Sequence, residues 1–84
     1  MSQSSAQRIH SLIESARSRS SAQGRELDVA GIFITVLVRC GICREDATRL
    51  VADNDRDPVA SILHYAGDSH NFAVLAVEEA LAAA

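Results

Sequence analysis

The sequence predicts an all-α fold, a compact bundle of about five short helices around one buried apolar helix at about 27–40. Three observations point there. Five segments space their apolar residues at helical intervals, and capping or breaking residues separate them. Hydrophobic residues make up 48% of the 84, which excludes a disordered chain. Only Phe33, Tyr65 and Phe72 are aromatic, so the core has to be aliphatic. A single helical domain over 1–84 is expected, with a polar tail at 1–4 and a polar linker at 18–25.

The first helix is expected from about Ser5 to Ser18. Ile9, Leu12, Ile13 and Ala16 share one face, Ser4 and Gln7 have capping-box spacing, and Arg17 and Arg19 suit a helix C-terminus. The second segment is nearly all apolar, and its β-branched residues Val29, Ile32, Ile34, Thr35, Val36 and Val38 would also suit a strand over 29–38. A helix is favoured because Asp28, Gly31, Thr35 and Arg39 then form one narrow polar or small stripe, and a lone strand would lack a pairing partner. Gly41 ends that element. Arg44–Asp53 begins another, with Glu45 and Asp46 in its first turn and Ala47, Leu50 and Val51 facing inward. Asp57-Pro58 restarts a helix, an N-cap carboxylate followed by proline at the first helical position, and Val59, Ile62, Leu63 and Ala66 line its inner face as far as Gly67. Asp68-Ser69 is the expected cap of a last helix at about His70–Leu81. Phe72, Val74, Leu75, Val77 and Leu81 spread round that helix over a wider arc than one packing face needs, which predicts apolar surface left for a partner.

Charge and composition narrow the function. Eleven acids against eight arginines, with no lysine, make a net charge of −3, which argues against binding to a phosphate backbone. Three aromatic residues cannot build a base-stacking platform. The opening Met1–Gln7 is polar, without the apolar core of a secretory signal, and the longest apolar run, Val29–Val38, is far short of the ~20 residues that span a bilayer. With two cysteines expected to stay reduced, a soluble cytoplasmic chain is the expectation.

Four features could carry chemistry. Cys40-Gly41-Ile42-Cys43 could be a redox dithiol or half of a zinc site completed by His64 and His70, though the gap of twenty residues exceeds usual zinc-finger spacing. Two small, partly buried thiols at a helix corner is the plainer reading. Asp53-Asn54-Asp55-Arg56-Asp57 opens like a calcium loop, but Pro58 and His64 stand where such a loop needs glycine and glutamate. An acidic turn of Asp53, Asp55 and Asp57 facing a basic partner survives as a functional reading. His10, His64 and His70 lack the base, orienter and oxyanion hole of a catalytic set, so no enzyme and no cofactor is expected. Arg44–Gly67 has helix–turn–helix outlines, but Pro58-Val59-Ala60-Ser61-Ile62-Leu63-His64 offers a major groove no arginine, asparagine or glutamine.

Cys40-Gly41-Ile42-Cys43-Arg44-Glu45-Asp46-Ala47 resembles the opening of a ubiquitin-associated (UBA-like) domain, with Val59-Ala60-Ser61-Ile62-Leu63 in the place of its later helix. The resemblance covers about Cys40–Tyr65, with Cys40 and Ile42 standing where the family usually has Met and Phe. It implies that Gly41 and Ile42 belong to a partner-binding loop.

The expected function is therefore non-catalytic protein binding, as a small adaptor, regulator or inhibitor. A short acidic chain of this kind is also what phage- or plasmid-encoded inhibitors of host complexes look like, by analogy alone. Contact is expected through Phe72, Leu75, Glu78 and Glu79 on the last helix and through Asp53, Asp55 and Asp57, with Arg8, Arg17 and Arg19 as a weaker candidate. The partner would be another protein, or a second copy through the last helix. The alternatives are a zinc- or thiol-dependent protein using Cys40 and Cys43, and a helix–turn–helix-like nucleic-acid binder.

Overall fold

Where each helix starts and stops follows from a few capping bonds, and these place every surface discussed below. The computed structural model describes residues 4–84. Five helices follow one another, α1 (Ser5–Ala22), α2 (Val29–Arg39), α3 (Arg44–Ala52), α4 (Pro58–Ala66) and α5 (His70–Ala83). No strand occurs among the described residues, so 29–38 is helical. Most of the expected tail at 1–4 lies outside the described residues.

At the start of α1, Ser4 and Gln7 form the expected capping box. The Gln7 N–H donates to Ser4 Oγ at 3.2 Å and the Ser4 N–H donates to Gln7 Oε1 at 3.1 Å. The expected linker at 18–25 is helical as far as Ala22, which corrects its boundary. Serine and arginine do not stop a helix already nucleated, since each added residue gains a backbone bond. The stop comes from Gly24. Its N–H donates to the Ser21 carbonyl at 3.0 Å and the Arg25 N–H donates to the Ser20 carbonyl at 2.8 Å, the paired bonds of a Schellman C-cap.

Asp28 caps α2 by accepting the Gly31 N–H at 3.0 Å. A side chain on Gly31 would meet the Asp28 carboxylate and push it out of this cap. A second Schellman motif ends α2, with the Gly41 N–H on the Val38 carbonyl at 3.0 Å and the Ile42 N–H on the Leu37 carbonyl at 3.2 Å. This geometry puts Gly41 at φ +99°, a conformation L side chains rarely adopt.

Two helices share the centre. Ile32, Phe33, Val36 and Leu37 of α2 and Ala73, Val74, Ala76, Val77 and Ala80 of α5 are buried, joined by Ile9 and Ile13 of α1, Ala47 of α3 and Val59 and Ile62 of α4. Helix α2 packs on α3, α4 and α5, while α1 packs on α4 and α5. The small residues of α5 let its neighbours approach closely, which is how the alanine-rich helix comes to share the core with α2. No polar or charged residue is buried among the described residues. The molecule measures 35 × 34 × 24 Å, so its thinnest direction is about two helix diameters. Every helix therefore keeps one face on solvent, and function has to be sought on the surface.

Candidate functional site

On α5 the buried face consists of alanines and valines, Leu81 is half-buried near the end, and Phe72 and Leu75 point the other way. Phe72 is 44% exposed and Leu75 is 55% exposed. They stand one turn apart, and Glu78 and Glu79 continue the same outward face. The structure thus brings together all four residues expected on this helix. It also separates their roles. Glu79 pairs with Arg39 of α2, tying α5 to the core, whereas Glu78 has no ion-pair partner among the described residues. Ser69 occupies the N-cap position of α5 as expected, but its side chain makes no capping bond.

The acidic turn is mostly occupied with its own construction. Asp53 accepts the Asp55 N–H at 3.0 Å and the Arg56 Nε–H at 3.1 Å. Asp57 caps α4 by accepting the Val59 N–H at 3.0 Å. Asp55 is exposed, and neither a hydrogen bond nor an ion pair engages its carboxylate among the described residues.

Between α2 and α3, Cys40 is half-buried, and burial pushes its thiol pKa up. Cys43 is exposed and occupies the N-cap of α3 without a side-chain capping bond. The structure does not gather Cys40, Cys43, His64 and His70. No group of three or more His, Cys, Asp or Glu side chains placed to hold a metal occurs among the described residues. His64 instead meets Tyr65 edge-on, with ring centroids 5.1 Å apart. Gly41 and Ile42 line a shallow depression of about 460 Å³ together with Leu50 and Tyr65. In the α3–α4 pair, the exposed residues of α4 are Ala60, His64 and Tyr65, none suited to bidentate reading of a base. No helix among the described residues is long and apolar enough to cross a membrane.

One surface went unread in the sequence. Helix α1, the α1–α2 loop, α2, the start of α3 and the end of α5 enclose an open cavity of about 710 Å³. Arg19, Arg25 and Arg44 line it above a floor that includes Ala16, Ile32 and Leu81. The sequence marks Arg19 as a weaker candidate and does not mark Arg25 or Arg44, because the three come from elements that only packing brings together.

Searches of protein-family models, curated proteins and solved structures found no match to this chain.

Proposed function

We propose that this chain is a non-catalytic protein–protein interaction module, a small adaptor, regulator or inhibitor, acting in the cytoplasm and binding another protein through the outward face of α5. The observation that carries this reading is the Phe72–Leu75 pair. Two large apolar side chains are held out of a core that closes on alanine and valine behind them. A folded chain gains ~25 cal/mol for each Å² of apolar surface it removes from water, so leaving these two outside forgoes stability that a partner can recover. An aromatic anchor beside an aliphatic one, bordered by Glu78, has the make-up of a small interface centre with a polar rim. Asp55 adds a free carboxylate for a basic partner on the α3–α4 turn.

The test is a pull-down from the source lysate using the tagged chain, followed by sedimentation equilibrium of the purified protein. Leu75→Ser and Glu78→Arg are the informative variants. Glu79→Arg is unsuitable, because it would set two arginines against each other where Glu79 now meets Arg39. A stoichiometric partner lost in both variants supports the reading, as does a wild-type dimer that Leu75→Ser dissociates. Proteins retained equally by wild type and variants, together with a monomer at every concentration, would count against this surface.

A further inference from the structure

We propose that the cavity at the α1–α2–α5 junction is a docking groove for an acidic, amphipathic helical segment of a partner protein. Four of the eight arginines hold a carboxylate, namely Arg17, Arg39, Arg49 and Arg56. Arg8, Arg19, Arg25 and Arg44 hold none among the described residues, and three of these four line this one cavity. On a chain of net charge −3, that is a local concentration of unsatisfied positive charge. Two acids share the lining, Glu26 and Asp28. Asp28 is turned onto the first turn of α2, where it accepts the Gly31 N–H, so the lining sets three guanidinium groups against two carboxylate side chains, one of them already engaged as a helix cap.

The floor decides what kind of anion fits. Ala16 and Ile32 are buried beneath it, Leu81 is half-buried beside them, and no aromatic residue lines the cavity. A nucleic acid would find guanidinium groups for its phosphates but no surface on which to stack a base. A helical segment with aliphatic residues at i, i+3, i+4 and i+7 would set them on this floor and carry carboxylates to the arginines that line it. Guanidinium forks match carboxylates in two parallel hydrogen bonds. The stripe Asp28, Gly31 and Thr35 lines the groove, and each of the two polar side chains already makes one bond to the α2 backbone. Thr35 donates its hydroxyl to the Gly31 carbonyl at 2.9 Å, and Gly31 leaves the floor open.

The inference shares with the proposed function only the idea that the ligand is a protein, because Phe72 and Leu75 do not line this groove. Its test uses the full chain, immobilised and screened against a displayed library of random segments of about 16 residues, roughly four helical turns. Enriched segments should carry Asp or Glu on one face and aliphatic residues at helical spacing on the other. Fluorescence anisotropy with the best segment should show about tenfold weaker binding in each of Arg19→Glu, Arg25→Glu and Arg44→Glu. Arg8→Glu, an unpaired arginine outside the groove, is the charge-matched control and should change binding less than about twofold, as should Leu75→Ser. All four arginines are exposed, so circular dichroism should report an unchanged fold, and Arg→Gln versions repeat the comparison without reversing charge. The proposal is overturned by enrichment of neutral or basic segments, by no enrichment, or by equal loss in Arg8→Glu. Tighter binding of a single-stranded oligonucleotide to the same arginines would also overturn it. Failure here with an α5-dependent partner intact would leave the α5 surface standing.

Discussion

Asp57 shows how much one side chain can contribute. Its carboxylate takes the Val59 N–H at 3.0 Å while Pro58 sets the first helical residue, so α4 starts without an orphan donor at that position. Asp57→Ala should cost about 1 kcal/mol and lower the melting temperature by roughly 4–8 °C, measured by circular dichroism. An unchanged melting temperature would mean that proline alone starts the helix. Cys43 presents the opposite case, a residue in the N-cap position with no capping bond. Cys43→Ser should raise stability by about 0.5–1 kcal/mol in urea titration, and a lower midpoint would show that the thiol packs better than its exposure suggests. The two cysteines should also differ in reactivity. The thiolate is the attacking form, and burial disfavours it at Cys40. A limiting amount of iodoacetamide at neutral pH should therefore label Cys43 first, and peptide mass mapping that found equal labelling would contradict this.

At the scale of the element, α5 combines two jobs on opposite faces. Its alanine and valine side sits against α1, α2 and α4, and its Phe72–Leu75 side meets water. Leu75→Ser should shift stability by no more than about 0.5 kcal/mol while abolishing partner capture, because the side chain already lies outside the core. A large loss of stability would return Leu75 to a structural role. The outward arc of apolar residues on this helix was legible in the sequence, because Phe72 and Leu75 fall off the face that Ala73, Val77 and Ala80 occupy. Less legible was the end of α1. The run 18–25 is polar enough to resemble a linker, yet only Gly24 carries a reason to stop, and the helix runs to Ala22. Polarity reports exposure, and an exposed helix turn is as polar as a loop.

For the molecule as a whole, the core is one apolar cluster to which all five helices contribute, so it should unfold as a unit. Leu37→Ala removes a fully buried side chain at the meeting of α2 with its neighbours and should cost about 2–5 kcal/mol. Against a total of ~5–15 kcal/mol that is a large fraction, visible as a collapse of the urea midpoint. A loss below about 1 kcal/mol would mean that the neighbours close over the gap.

The order of residues already favoured five helices and marked the capping box of α1, the start of α4 and the inward faces of α1, α3 and α4. These depend on neighbours within one or two turns, as at Ser4 and Gln7 and at Asp57 and Pro58. Packing settled what local order left open. The segment 29–38, which residue order favours as a helix while its β-branched residues would also suit a strand, is a helix packed on α3, α4 and α5. Local bonds engage the larger part of the acidic turn, and packing gathers no metal-holding group from Cys40, Cys43, His64 and His70. It does collect Arg19, Arg25 and Arg44 along one groove. Helical periodicity determines which side of a helix a residue occupies, but which other helix lies across from it depends on contacts between segments far apart in the chain.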